Sequence, residues 1–322
     1  MTAVASLLAL PAFVGEAHAA AKAFSSLHVE DFIASEGGTQ FDQGDFDNLG
    51  ITNSGQNSAT LTGFAGEVFG DAGAADIDPD HACVGNGCAS IPIGDNNFSQ
   101  QAFPPPDSFA RGDSRQFGAI ITGTAASQDS VTADTVAGAQ LLTSGETGLG
   151  TSNVGTDTVV SFSLIDPRQV TFTFAARGTL DVRLDPDSAP GSSTGADFEF
   201  GITIREADGG ALVFSWNPNG TVDGAIVGGT ENADGANLNQ EISRLLPGQT
   251  IVDTGLGLFS ATTGLLDAGI NYTLTISHNS FARASLVLQE VPEPATLALF
   301  SLGLLVIGVM AMRRRRSDDP TA

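Results

Sequence analysis

Residues 158–216 read TVVSFSLIDPRQVTFTFAARGTLDVRLDPDSAPGSSTGADFEFGITIREADGGALVFSW, and they carry the clearest structural pattern in the chain. Apolar and polar side chains alternate through five runs, as they do in a strand whose successive residues point to opposite faces of a sheet. The runs are residues 160–164, 170–174, 180–184, 198–204 and 212–216. Asp166-Pro167 separates the first two runs and predicts a hairpin, and Asp208-Gly209 predicts a turn before the last run. The stretch therefore predicts an antiparallel sheet with one apolar face.

The flanking sequence extends this pattern in both directions. Further strands are expected where apolar residues alternate or cluster, at 27–33, 60–69, 117–121, 256–259, 272–276 and 286–288. Residues 234–246 predict a short helix, because Leu238 and Ile242 fall at helical spacing. Residues 125–142 fit either a weak helix or exposed edge strands. Many short strands with turn signals between them are typical of an all-β, jelly-roll-like antiparallel β-sandwich, which is the fold class that we predict.

Residues 71–114 interrupt the pattern, and we expect them to form a loop-rich excursion from a single ectodomain spanning residues 20–290. The alternative is that residues 20–113 form a separate domain. The two cysteines of the chain, Cys83 and Cys88, both lie in this excursion. Two intervening glycines let the backbone turn tightly, and an exported protein meets an oxidising compartment, so we predict a Cys83–Cys88 disulfide. Zinc is disfavoured, because two cysteines and one nearby histidine supply three ligands at most.

The same excursion is dense in carboxylates. Asp76, Asp78 and Asp80 alternate along a segment that contains a proline, and calcium prefers oxygen ligands of this kind. These three residues are the candidate metal site, and Ca²⁺ is the one cofactor that the sequence suggests. The alternative is an acidic loop that binds no metal.

The charge of the chain limits its partners. With 37 acidic and 13 basic residues, the formal net charge is −24 at pH 7. Nucleic acids are recognised by clustered lysine and arginine, so the acidic ectodomain excludes nucleic acid as a partner. An acidic surface instead suits solubility, cation binding or a hydrated matrix.

Both ends of the chain have the composition of targeting segments. Residues 1–19 contain an apolar run and end in Ala17-His18-Ala19, which predicts a signal peptide cleaved after residue 19. No basic residue precedes that run, so we expect the natural start codon to lie upstream. Residues 295–312 are uncharged and apolar, and as a transmembrane helix they would span about 27 Å. The next four residues are Arg313, Arg314, Arg315 and Arg316. Basic residues stay on the cytoplasmic side, so residues 317–322 are predicted to form a cytoplasmic tail.

Pro292-Glu293-Pro294, the apolar run and the arginine cluster follow one another over residues 291–316. In this arrangement the chain end resembles the PEP-CTERM sorting signal of Gram-negative bacteria. The resemblance implies an exosortase substrate: an exported precursor is held in the inner membrane by one C-terminal span and is processed near Pro292, Glu293 and Pro294. It then reaches the cell surface or the extracellular matrix, often in association with exopolysaccharide and biofilm. The resemblance implies a destination rather than an activity of the ectodomain.

The ectodomain offers little catalytic signal. It contains no His-Glu-x-x-His zinc helix, and no nucleophile elbow of the Gly-x-Ser-x-Gly type is expected. We therefore expect a non-catalytic, secreted matrix protein. The alternative is a carbohydrate-binding module or adhesin on the same sandwich, which would need exposed aromatic side chains. Apart from phenylalanines the chain has only Trp216 and Tyr272, and Trp216 is in phase with the apolar Leu212 and Phe214, which favours a position in the core.

Overall fold

Antiparallel strands make up nearly all of the regular structure in the computed structural model, which describes residues 19–287 except 91–94, 105, 125, 127, 143–144, 155–157 and 208–209. The described residues also form a 3-10 turn at Gln43–Asp45 and one short helix, α1, at Gly87–Ser90. The strands are β1 (Ala21–Glu36), β2 (Thr39–Gln40), β3 (Phe46–Leu61), β4 (Glu67–Gly73), β5 (Ala82–Val84), β6 (Phe109–Phe117), β7 (Val131–Leu141), β8 (Thr147–Val154), β9 (Thr158–Leu164), β10 (Thr171–Leu184), β11 (Ser193–Glu206), β12 (Leu212–Trp216), β13 (Ile226–Val227), β14 (Gly229–Asp234), β15 (Gln240–Arg244), β16 (Gly248–Asp253), β17 (Gly257–Thr263) and β18 (Tyr272–Ser285). The predicted all-β class is confirmed.

These strands form two sheets. In the first sheet the order is β14-β17-β10-β1-β7-β6-β5, with β16 paired to β10 and β2 paired to β1. In the second sheet the order is β13-β12-β11-β18-β8-β3-β4, with β15 paired to β11, and β9 paired to both β18 and β3. The chain passes repeatedly from one sheet to the other, so each sheet is assembled from segments that are distant in sequence. Two antiparallel sheets of this kind are consistent with the predicted β-sandwich.

The two sheets share a hydrophobic core that is rich in aromatic rings. The ring centroid of Phe174 on β10 lies 4.8 Å from that of Phe200 on β11, in the opposite sheet. It also lies 4.9 Å from Phe259 on β17 and 5.6 Å from Trp216 on β12. Burying a side chain of this size contributes about 1.5–3 kcal/mol, so this cluster is a main source of the attraction between the sheets.

The predicted hairpin at Asp166-Pro167 is wrong. β9 pairs with β3 and β18 in the second sheet, whereas β10 pairs with β1, β16 and β17 in the first. The segment between β9 and β10 therefore carries the chain across the sandwich. Phe162 and Phe172 are both buried in the shared core, and they approach it from opposite sheets. Alternation shows that each run has an apolar face, but it does not show whether neighbouring runs share a sheet.

The predicted helix over residues 234–246 is also wrong, because this segment holds the last residue of β14, a loop and β15. Leu238 is fully buried, whereas Leu245 and Leu246 are 71% and 72% exposed. These leucines have helical spacing without sharing an apolar face. Of residues 125–142, for which a weak helix or exposed edge strands are predicted, Val131–Leu141 form β7, which lies between β1 and β6 inside the first sheet and is neither helix nor edge strand.

The boundaries of the remaining segments also differ from the expectations. The loop-rich excursion is shorter than 71–114, because β4 continues to Gly73 and β6 already begins at Phe109. The last strand is predicted at 286–288, but β18 ends at Ser285. Residues 286 and 287 lie beyond this strand, and residue 288 lies outside the described residues. The contacts within the chain separate two units, which are residues 1–287 and residues 288–322.

The predicted targeting segments fall almost wholly outside the described residues. Of residues 1–19 only Ala19 is described, and residues 295–312 are not. Within the described part of the chain, no helix has the length and apolar character needed to cross a membrane.

Candidate functional site

The route by which the chain leaves the sandwich is the first element of the site. β18 lies inside the second sheet, paired with β11 on one side and with β8 and β9 on the other. Beyond the strand, the backbone N–H of Leu286 donates to the carbonyl of Glu146 at 2.9 Å. The N–H of Val287 donates to Ser192 Oγ at 3.1 Å. The chain is thus held by hydrogen bonds up to Val287, the last described residue. The predicted processing residues Pro292, Glu293 and Pro294, and the arginines at 313–316, lie outside the described residues.

The beginning of the ectodomain lies at the same end of the sandwich. Ala21, the first residue of β1, is paired with Leu184 at the end of β10 and with Leu141 at the end of β7. It belongs to a small apolar cluster that also contains Ala284 and Leu286 from the C-terminal exit. We call this end of the sandwich the exit end.

The predicted disulfide between Cys83 and Cys88 is confirmed, with 5.9 Å between the two Cα atoms. Cys83 lies on β5, at the edge of the first sheet, and its N–H donates to Glu67 Oε2 at 2.8 Å. Gly85 has a positive φ of 114°, and a Cβ there would lie 2.4 Å from the carbonyl oxygen of Ser108. Only glycine fits this turn, which explains the Gly-Asn-Gly sequence between the cysteines.

Residues 95–104, which we call the strap, run from the disulfide loop over the outer face of the first sheet. Near one end, the Phe98 ring lies 5.0 Å from the guanidinium of Arg115 on β6. Near the other end, the Phe103 ring lies 4.4 Å from the guanidinium of Arg183 on β10. Since β7 and β1 lie between β6 and β10, the strap crosses four strands. A large part of the predicted excursion is therefore a cover for this face.

Arg111 on β6 holds the strap from below. Its Nη1 donates to the carbonyl of Asn97 at 2.8 Å, and its Nη2 donates to the carbonyl of Ser99. The residue is 1% exposed, and burial lowers the pKa of its guanidinium to about 10. Burial, reinforced by repulsion from Asp95, raises the pKa of the neighbouring Asp113 to about 7. The side chains of Arg111 and Asp113 are thus both buried beneath the strap.

The sole lysine of the chain, Lys22, also lies on the outer face beneath this cover. Its Nζ is 2.7 Å from Asp181 Oδ2, with both side chains almost completely buried. Sequence reasoning missed these strap-binding residues. The spacing of Arg111, Asp113 and Arg115 at every second position was the available signal, because it places all three on one face of a strand.

The three candidate calcium ligands do not converge. Asp76 Oδ1 accepts from the N–H of Gly118 at 2.8 Å, and Asp78 Oδ2 accepts from Asn96 Nδ2 at 3.0 Å. Among the described residues, no group of three or more His, Cys, Asp or Glu side chains is arranged to hold a metal ion. Calcium binding at Asp76, Asp78 and Asp80 stays a prediction that would require this loop to rearrange.

The two non-phenylalanine aromatics are buried. Trp216 is 0% exposed, and its indole N–H donates to the carboxylate of Glu231. Tyr272 is 3% exposed, and its hydroxyl accepts from the N–H of Asp267 at 3.0 Å. The core position expected for Trp216 is confirmed, and neither ring is available to stack on a sugar in this structure.

The histidines sit in separate environments. His28 on the outer face of β1 has its Nδ1 2.6 Å from Asp134 Oδ1, and this hydrogen bond raises the pKa of the imidazole. His278 on β18 is 2% exposed, and burial lowers its pKa to about 4. Its Nε2 lies 3.1 Å from the carbonyl of Leu27, so we assign the proton to Nε2. A neutral, buried imidazole of this kind is a structural group of the core.

The expectation that the ectodomain has no Gly-x-Ser-x-Gly pattern is wrong. Residues 191–195 read Gly-Ser-Ser-Thr-Gly and thus match Gly-x-Ser-x-Gly. The central residue, Ser193, begins β11 and is paired with Ser285 of β18. A nucleophile elbow requires a strand-to-helix turn, and this geometry is missing at Ser193.

A polar cleft lies on the outer face of the second sheet. Asp197 and Glu199 project from β11, Glu241 from β15 and Arg283 from β18, with Arg283 Nη2 donating to Glu241 Oε1 at 3.0 Å. Burial raises the pKa of Asp197 to about 6, and Glu199 and Glu241 add repulsion in the same direction. Phe198, the aromatic residue of the lining, is fully buried.

Comparison with known proteins identifies the C-terminal segment. Residues 290–316 match the family model of the PEP-CTERM protein-sorting motif, which confirms the resemblance found in the sequence. No curated protein and no solved structure matches the chain. The chain therefore carries a protein-sorting signal that begins just after the exit end of the sandwich, and this signal implies an exported, membrane-anchored precursor.

Proposed function

We propose that this chain is a non-catalytic, surface-sorted protein of the extracellular matrix or exopolysaccharide layer, with a jelly-roll-like ectodomain. An exosortase removes its C-terminal signal. The observation that carries the proposal is the sorting motif at residues 290–316, which begins three residues after Val287. All of the described strands precede this motif in the chain, which supports a location of the whole ectodomain on one side of the membrane.

The chemistry of the tail supports this order of events. Residues 295–312 are apolar and long enough to stop in a bilayer as a helix. Four consecutive arginines after them resist transfer, since moving each guanidinium into hydrocarbon costs at least about 2.5–3.5 kcal/mol. Pro292 and Pro294 disfavour helix at the residues that precede them, which presents Glu293 in an extended form suited to a protease.

The ectodomain supports a role in a hydrated matrix. Its formal charge favours solubility, and His28 is paired with Asp134 while His278 is buried in the core. The disulfide and the strap suit an oxidising exterior, where a covalent link at the root of a long loop persists.

Two tail variants test the proposal in cells that contain an exosortase. Replacing Pro292, Glu293 and Pro294 with alanine should leave membrane insertion intact and abolish release of the shorter form. Replacing Arg313–316 with glutamate should disturb retention in the membrane before any processing occurs. Immunoblots of membrane and extracellular fractions report both effects. Normal release of the alanine variant would contradict the proposal.

Carbohydrate binding, or adhesion through it, is a second candidate function, and the polar cleft on the second sheet favours it. Carboxylates, amides and a guanidinium converge there, and these groups bind sugar hydroxyls through hydrogen bonds. A glycan array probed with the full chain in detergent tests this role. Selective binding that is lost in Glu241→Ala and kept in Glu36→Ala, a control at an exposed glutamate of the first sheet, with an unchanged melting temperature would support a site in this cleft. If the protein binds no glycan on the array, carbohydrate binding is ruled out as a function.

A further inference from the structure

The exit end carries exposed apolar side chains at the tips of its turns. Phe64 in the turn after β3 is 43% exposed, and Val287 is 39% exposed. Leu245 and Leu246, in the turn after β15, are 71% and 72% exposed. Large apolar groups at loop tips, rather than in a sheet face, have no neighbour within the fold that could cover them.

The strand register places these tips in one row. Arg244, the last residue of β15, and Ala284 on β18 both lie opposite Thr194 of β11, on its two sides. On the other side of β18, Ser285 lies opposite Thr147 of β8. The N–H of Thr62, two residues before Phe64, donates to the carbonyl of Thr147. The turns after β3 and β15 therefore stand on either side of Val287, four strand spacings or roughly 19 Å apart.

The leucine turn is held in an outward position by its own hydrogen bonds. Arg244 folds back over the turn, where Nε donates to the carbonyl of Leu246 at 3.2 Å and Nη2 donates to that of Pro247 at 3.1 Å. Gly248 has a φ of 132°, and a Cβ there would lie 2.5 Å from Arg244 Nη2. The carbonyls of Leu246 and Pro247 therefore accept hydrogen bonds within the protein, which lowers the cost of moving the tip of this turn into an apolar environment.

Chain length limits how far this end can be from a membrane. Seven residues, 288–294, separate Val287 from the apolar run at residue 295. Fully extended, this connection spans at most about 29 Å. Among the described residues, Phe64, Val287 and the leucine turn are exposed apolar groups at the exit end, where the described chain stops.

We propose that the exit end docks on the outer surface of a lipid bilayer, with Phe64, Val287 and the Leu245-Leu246 turn inserted at the boundary between headgroups and acyl chains. The inference rests on the proposed function, because the tail must first anchor the precursor. The strong negative charge of the chain selects zwitterionic over anionic headgroups. Docking fixes the orientation of the ectodomain and holds the Pro292-Glu293-Pro294 segment close to the membrane surface.

Site-specific fluorescence on the full chain tests this docking. Leu246→Cys carries the label, since both native cysteines are joined in the disulfide. Leu265→Cys is the matched control, because Leu265 is 64% exposed and lies in the connection between β17 and β18, at the opposite end of the sandwich. Each variant is labelled with an environment-sensitive dye and reconstituted in vesicles of phosphatidylcholine and phosphatidylethanolamine. The label at 246 should shift to the blue and be quenched by doxyl groups on the lipid, while the label at 265 should stay water-like.

The outcomes separate this inference from the proposed function. If the chain floats with the vesicles and the label at 246 stays water-like, the docking is wrong and the membrane anchor stands. If the chain does not float with vesicles at all, the membrane anchor itself fails. Equal quenching at 246 and at Leu258→Cys, a 71% exposed position on the outer face of β17, would show side-on contact and overturn docking by the exit end. In a chain that carries the label at Phe64→Cys, the added double substitution Leu245→Ser and Leu246→Ser should weaken the quenching of that label. The reason is that both turns engage the bilayer together.

Discussion

At the scale of single residues, His278 links the core to pH. Its ordinary pKa of 6.5 falls to about 4 because burial disfavours the charged imidazole. Between these values the unfolded chain binds a proton that the folded protein does not, so the free energy of unfolding falls as the pH falls. Between pH 7 and pH 4.5, we predict that the free energy of unfolding falls by up to about 3 kcal/mol less in His278→Gln than in the wild type. Urea unfolding at pH 4.5 and pH 7 measures this difference, and His81→Gln, at a partly exposed histidine, is the control. Equal pH dependence in wild type and His278→Gln would contradict the assignment.

Trp216 is the residue whose role the structure defines most sharply. It packs against Phe174 and donates a hydrogen bond to Glu231, a residue that is itself 3% exposed. Trp216→Ala should lower the free energy of unfolding by about 3–5 kcal/mol, through the cavity and the lost partner of Glu231. Trp216→Phe should cost less, since it keeps most of the ring. Urea unfolding checks both variants, and a loss below about 1 kcal/mol for the alanine variant would be inconsistent with a core position.

At the scale of elements, the sequence predicted strands far better than their partners. The runs around Phe162, Phe172, Phe200 and Leu274 are strands because alternation reports the two faces of a strand directly. Pairing depends on which sheet a strand joins, and neighbouring runs such as β9 and β10 face the same core from opposite sheets. The mistaken helix over 234–246 has a related cause, because the spacing of leucines carries no information about whether they are buried.

The candidate site was predictable to a smaller extent. The disulfide followed from two cysteines separated by a tight turn, and the tail followed from three features in a fixed order. The strap falls within the predicted loop-rich excursion, but its role as a cover was not predictable, because its contacts with Arg111 and Asp181 are tertiary. The alternation of Arg111, Asp113 and Arg115 indicates a shared strand face, but it does not identify the segment that covers this face.

The strap yields a prediction about the disulfide at its root. Cys83→Ser with Cys88→Ser opens a very short loop, so the free energy of unfolding should fall by less than the about 2–4 kcal/mol that is typical of longer loops. The larger effect should be local, as faster amide exchange in residues 95–104 with β1 and β10 unchanged. Hydrogen exchange read by mass spectrometry measures both. Uniformly faster exchange across the first sheet would show that the disulfide supports the whole fold instead.

At the scale of the whole molecule, the architecture gathers its chain ends. β1 begins and β18 finishes at the exit end, so the predicted signal peptide and the sorting motif both connect to the same side of the sandwich. This arrangement suits a protein that is attached to a membrane from one end. The acidic charge of the molecule opposes close contact with anionic surfaces elsewhere.

The central claim is that the C-terminal segment is a removable sorting signal. The most direct measurement is C-terminal peptide mapping of the protein extracted from the cell surface, beside the protein of the membrane fraction, in a cell that contains an exosortase. We predict that the membrane precursor carries residues 313–322 and that the surface form ends near Pro292-Glu293-Pro294. A surface form that still carries Arg313 through Ala322 would show that the segment is an ordinary membrane anchor.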